Sequence, residues 1–132
     1  MAIAVGKKFV DPAKNEIQIV RCEYDFAKDG GSVAAYELME ATGDIVIHEA
    51  HVNVTTAVTS GGSATIDLGK TGATTGLLNA AAIAGFSAGA VVATTDATTP
   101  VKVADGEKVL MEVKVAALTA GKFEVVLHVS KF

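Results

Sequence analysis

Between Val101 and Val129 three runs of apolar residues fall on odd numbers: Val101 and Val103, then Val109, Met111, Val113 and Val115, then Phe123, Val125, Leu127 and Val129. Side chains of a strand alternate between faces, so each run offers one apolar face. Even positions carry Lys102, Lys108, Glu112, Lys114, Lys122, Glu124 and His128, a polar face. This alternation predicts three antiparallel strands joined as a meander. A two-residue Asp105-Gly106 turn would set Val103 opposite Lys108 and turn the apolar set outward. A three-residue loop, Ala104-Asp105-Gly106, restores parity, with Gly106 at the position that needs φ > 0. Thr119-Ala120-Gly121 has the same form. It predicts Val115 opposite Val125, Val113 opposite Leu127, Met111 opposite Val129, and Glu112 opposite His128 on the outer face. Leu110 and Val126 interrupt that face, which predicts cover there by another sheet or another chain.

Upstream, residues 1–15 show no period and are expected as an N-terminal arm, lying on a neighbour or serving as an edge strand. Asp11-Pro12 marks a turn. Glu16 to Ala27 reads as a strand whose phase changes: Ile17 and Ile19 share one face, Val20, Cys22, Tyr24 and Phe26 the other. Such a change predicts a bulge or burial on both sides. Val33 to Glu40 is expected as a strand because β signals surround it, although Ala, Leu, Met and Glu favour helix. Asp44 to Val58 is the longest strand candidate, with a bulge near His48-Glu49 reconciling its two phases. Ser63 to Leu68 and Ala90 to Thr95 are further strands. Between them, five glycines break up residues 69–89. That stretch is expected as a long Gly/Ala-rich loop with a helical turn or two over Leu77 to Ala84. Seven to nine short strands predict an all-β fold, an antiparallel β-sandwich or a distorted barrel, with residues 16–132 forming a single β domain.

The 132 residues suffice for one domain with a sizeable core. A net charge of −4 argues against a nucleic-acid binder that relies on bulk positive charge. The lone Cys22 excludes an intrachain disulfide scaffold. The apolar start precedes Lys7 and Lys8, the reverse of a signal peptide, and no apolar run is long enough to span a membrane. Folding in a cytosol is expected.

Four patterns invite chemistry. Ala64 to Thr71 loosely fits a phosphate loop, but residues 65–68 themselves read as strand, and a strand-to-loop turn is expected. His48-Glu49-Ala50-His51 is one residue short of the helical metalloprotease spacing. On a regular strand the two histidines would face opposite ways, and a bulge could bring them together. Cys22 lies among apolar neighbours and reads as a structural thiol. Asp25, Asp29 and Asp44 match no calcium-loop spacing and read as solvated turn residues. No cofactor and no catalytic group is expected.

The segments SATIDLG, LLNAAAIAGFSAGAVVATT and TTPVKVADGEKVLMEVKVAALTAGKFEVVLHV resemble small virion proteins of tailed bacteriophages, including capsid decoration (cement) proteins. The resemblance covers roughly the last 75 residues and lies in Ala/Gly/Thr-rich loops between valine-rich strands. It implies a non-enzymatic protein of the virion, assembled in the host cytoplasm, whose partners are the major capsid protein and copies of itself. Interface candidates are Ile3, Val5, Phe9 and Val10 of the arm, Leu77, Leu78 and Phe86 of the 69–89 segment, and the patch at Leu110 and Val126. The competing readings are a carbohydrate- or receptor-binding sandwich of a virion, for which only Tyr24 and Tyr36 join five Phe as aromatic material, and a small metal-dependent enzyme built on His48, Glu49 and His51.

Overall fold

The computed structural model of the chain describes residues 3–12, 16–97 and 100–132. Ten strands follow in order: β1 Ile3–Val10, β2 Ile17–Asp25, β3 Ala35–Ala41, β4 Ile45–Ser60, β5 Thr65–Lys70, β6 Ala73–Ala82, β7 Val91–Ala93, β8 Val101–Val103, β9 Lys108–Lys114 and β10 Leu118–Lys131. A four-residue helix α1, Phe26–Asp29, follows β2, and a 3-10 turn, Ile83–Gly85, follows β6. The first sheet runs β1-β3-β9-β5-β6; the second runs β2-β10-β4-β7, with β8 also on β4. Only β1 and β3 pair in parallel among the described strands. The sheets do not close, so the fold is a sandwich and not a barrel. The N-terminal segment is the edge strand of the first sheet.

The core is what the alternation demands. Val109, Met111 and Val113 of β9 and Ile66 and Leu68 of β5 meet Val20, Cys22 and Tyr24 of β2 and Phe123, Val125, Leu127 and Val129 of β10. Burying one such Val, Leu, Ile, Phe or Met side chain stabilises the fold by about 1.5–3 kcal/mol before chain entropy is counted. Aromatic rings tie the layers. Tyr24 meets Tyr36 of the other sheet edge-on at 5.6 Å between centroids, and Phe123 lies 5.0 Å from Tyr24 and 5.6 Å from Phe86. The Tyr24 hydroxyl donates to the Gly30 carbonyl and that of Tyr36 to the Ser32 carbonyl. Both rings are thereby fixed to the loop between α1 and β3.

The expected meander does not form. β8 pairs with Ile45–Ile47 of β4, β9 lies between β3 and β5, and β10 lies between β2 and β4. Alternation dictates which side a residue faces, and backbone hydrogen bonding leaves open which strand lies beside it. Instead of turning back, the chain after β9 crosses between sheets. Val115 is 74% exposed there, with φ 74°, in a tight turn closed by the Ala116 N–H on the Lys114 carbonyl at 2.9 Å. Thr119-Ala120-Gly121 is part of β10 and not a loop. Glu112 stands beside Ala35 and Asp67, and His128 beside Ile19 and Glu49. At the other turn Gly106 does adopt φ 82°, closed by the Glu107 N–H on the Ala104 carbonyl at 2.9 Å.

The long 69–89 loop is also corrected. β5 turns at Thr71-Gly72, with Gly72 at φ 82°, into the ten-residue β6. Only Ile83–Gly85 is helical. Its glycines permit an irregular strand: pairing steps from Leu68↔Leu78 to Lys70↔Ala73, so a stretch of β6 folds against Gly69. A Cβ at Gly69 would lie 2.2 Å from the Ala73 carbonyl oxygen. β2 carries no bulge; its register on β10 is continuous, and Ile17 and Ile19 face outward. The bulge in β4 forms where expected, as His128 pairs with Glu49 and Val129 with Ile47, leaving His48 extra. The 33–40 segment is strand β3 from Ala35 onward.

Carboxylates cap one end of the sandwich. Asp44 accepts the Asp105 N–H at 2.9 Å, and Asp105 accepts the Gly43 N–H at 2.8 Å. Glu107 accepts the Ala104 N–H at 2.7 Å and lies 3.1 Å from Lys70 Nζ. Those backbone hydrogen bonds, ahead of the lysines, hold Asp44 and Glu107 below their ordinary pKa values. A depressed folded pKa contributes stability that is present above the unfolded value and lost as pH falls through the folded one. Thermal melts should therefore show Tm falling once pH drops below about 4. The variant D44N/E107Q should start lower at neutral pH and show a flatter acid limb.

Candidate functional site

The outer face of the second sheet gathers the chemistry-bearing side chains. The β4 bulge is the reason. It puts His48, Glu49 and His51 on one side, where a regular strand would have divided the histidines. His48 Nε2 lies 2.6 Å from the Ser130 hydroxyl, and His128 Nδ1 lies 3.8 Å from Glu49 Oε2. The rings of His51 and His128 stand 6.2 Å apart between centroids. All three histidines of the chain thus share this face. The grouping is loose: among the described residues no three His, Cys, Asp or Glu side chains converge as a metal ion would need.

Ladder register places the rest. Across β2, β10 and β4 one row reads Arg21, Val126, His51; the next reads Glu23, Glu124, Asn53; on the other side lies Ile19, His128, Glu49. Arg21 donates to Glu124 at 2.7 Å. Val126 is buried between Arg21 and His51, so cover for it comes from within the chain.

Other candidates have structural partners. Cys22 is buried, and desolvation pushes its thiol up to about 11, far from a nucleophile's range. Asp25 accepts the Ala27 N–H and Asp29 accepts the Asp25 N–H, which closes α1. The phosphate-loop-like stretch is the β5–β6 hairpin. Tyr24 and Tyr36 are fully buried, so neither offers a stacking platform to a sugar. Among the described residues no helix is long and apolar enough to cross a membrane.

Asp67 was not singled out from sequence. It is the one buried polar or charged residue among those described, 2% exposed. Its Oδ1 accepts the N–H of Ala80, a residue held at φ 51°, at 2.7 Å. Its Oδ2 lies 3.2 Å from Lys114 Nζ, and this bond is the main reason the lysine's pKa is raised. The Asp67 carboxylate thus ties the kink of β6 to β5 and β9 of the same sheet. D67A should cost about 2 kcal/mol in urea denaturation, because the Ala80 N–H loses its partner. D67N keeps an acceptor there and should cost about half as much.

The interface candidates are dispersed. Val10, Leu77, Leu78, Phe86 and Val126 are buried within the chain. Ile3 and Leu110 are half-buried, and the Val5 side chain lies outside the described residues. Phe9 is 67% exposed, with Lys7 Nζ 5.2 Å from its ring centre. Sequence reasoning missed the other large exposed apolar residues, Ile17, Ile19, Val33, Val91, Val115 and Phe132. For Ile17 and Ile19 a signal existed: both sit out of phase with Val20, Cys22 and Tyr24.

No protein-family model matches the sequence, and no curated protein is similar to it. Two solved structures are similar in fold. A chain in the capsid of Ralstonia phage GP4 is 19% identical, with a TM-score of 0.61 over 93% of this chain and 89% of that one. A chain in the capsid asymmetric unit of cyanophage Pam1 is 16% identical, with a TM-score of 0.62 over 93% of this chain and 92% of that one. The two-sheet sandwich of this protein is thus an architecture also found, at similar chain length, in two bacteriophage capsids.

Proposed function

We propose that this protein is a structural component of a phage virion, a decoration or cement protein that stabilises the head through protein–protein contacts. The observation that carries the reading is the fold likeness, over nine-tenths of the chain, to chains in two different phage capsids. A chain this small, built as an open sandwich, suits attachment to a lattice made by a larger shell protein. Its partners in this reading are the major capsid protein and its own copies, and its place is the virion, assembled in the host cytoplasm. Exposed Phe9, Ile17, Ile19, Val33 and Val115, with half-buried Ile3 and Leu110, supply the apolar contact. The role requires no catalysis. It is tested by mass spectrometry of density-purified particles, and by sedimenting the purified protein with heads that lack it. Stoichiometric presence in particles and co-sedimentation with heads are expected. Absence from particles together with failure to bind heads overturns the reading.

A further inference from the structure

An open sandwich ends in edge strands, and an unpaired edge is a template for one more strand. Among the described residues, three of the four edges carry a device that discourages addition. β1 shifts register on β3 between Ala4 and Lys8, has Gly6 at φ 60°, and bears Lys7 and Lys8. β6 shifts register twice against β5 and has Ala80 at φ 51°. The far edge of the second sheet is split into β7 and β8, three residues each. β2 has none of these. It runs for nine residues in continuous register on β10, with no proline, glycine or lysine. Its outward side chains are Ile17, Ile19, Arg21 and Glu23, the isoleucines 63% and 52% exposed. Beside this flank runs an open groove of about 470 Å³, walled by Arg21 and Glu23 of β2, Glu124 of β10, Gly6 and Lys8 of β1, and Lys28 and Asp29 of α1.

We propose that β2 pairs antiparallel with β2 of a second copy, joining the two second sheets into one. Charge selects the register. Pairing centred on Arg21 would set the two arginines opposite each other, which is repulsive. Pairing centred on Val20 would set Arg21 opposite Ile19. Pairing centred on Cys22 sets Arg21 of each copy opposite Glu23 of the other, twice, with Val20 opposite Tyr24. Seven residues of each strand, 19–25, then form the ladder. Glu23 has only long contacts in the single copy, to Lys28 and Lys122 at 4.0 and 3.9 Å, whereas Arg21 already bonds Glu124 at 2.7 Å and in the dimer would share its guanidinium between Glu124 and Glu23 of the second copy. The pairing stands on the edge geometry and does not rest on the virion reading.

Sedimentation velocity of the full chain at tens of micromolar tests it, about the range where a modest strand interface associates. The wild type should sediment as a dimer. R21E alone, or E23R alone, places like charges opposite each other twice and should raise the dissociation constant at least about tenfold. Mixing R21E with E23R makes both pairs opposite again and should restore the dimer, as should the double variant R21E/E23R. Circular dichroism checks that each variant is folded. A wild type that stays monomeric at about 100 µM overturns the proposal, as do single variants that dimerise like wild type or a mixture that stays monomeric. A monomer that still sediments with phage heads would remove the pairing and leave the virion reading standing.

Discussion

Phe123→Ala should lower the free energy of unfolding by about 4 kcal/mol, the largest loss expected from any single truncation in this core. Phe123 is fully buried on β10, the strand that pairs along both its edges with β2 and β4. Its ring is the middle link of the chain Phe86, Phe123, Tyr24, Tyr36, which runs from the 3-10 turn through the second sheet to the first. Truncation removes the transfer energy of the ring and two aromatic contacts, and it leaves a cavity. The cavity cannot collapse readily, because both tyrosine hydroxyls are anchored to carbonyls of the 30–32 loop. F123L retains most of the volume and should cost about 1.5 kcal/mol. Chemical denaturation of the three proteins checks the ordering. A loss from F123A no larger than that from F123L would mean that the cavity left by the ring contributes nothing to the cost.

Gly69→Ala should cost about 3 kcal/mol, although it adds a single methyl. The new Cβ would meet backbone and not a movable side chain: the Ala73 oxygen at 2.2 Å and the Thr74 carbonyl carbon at 2.5 Å. The fold of β6 over Gly69 would have to open, loosening an edge of the first sheet. Gly85 is the control. It has open space around its Cβ position and no positive φ, so G85A should change stability by no more than about 0.5 kcal/mol. Equal effects at the two positions in thermal or urea melts would exclude close backbone approach as the role of Gly69.

Where the sequence could be read correctly, a side chain carried the signal. The odd-numbered residues of β9 and β10 do face the core, from Val109 to Val113 and from Phe123 to Val129. The two phases of β4 did require a bulge at His48-Glu49, and Gly106 did take the positive φ of its turn. Where reading failed, the deciding interaction involved backbone or an absent side chain. Val115 continues the alternation in sequence, yet it marks the point at which the chain leaves one sheet for the other. Gly69, Gly72 and Gly76 resemble loop punctuation, yet they permit an irregular hairpin. Asp67 sits between Ile66 and Leu68 and looks like an ordinary outward residue. The kink at Ala80, which aims an N–H at it, and Lys114, which lies 3.2 Å from its other oxygen, explain its burial.

The sequence alone determined that this chain is mainly β and which side chains of β5, β8, β9 and the second half of β10 face inward, because solvation of alternating apolar and polar groups is a property of each strand by itself. Which strands lie side by side was decided by the tertiary structure: β9 and β10 adjoin in the chain and belong to different sheets. Ladder hydrogen bonds are alike for every residue type, so partner choice rests on how the two apolar faces pack as wholes. The same packing set His128 of β10 beside Glu49 of β4 and left β2 at the end of the second sheet.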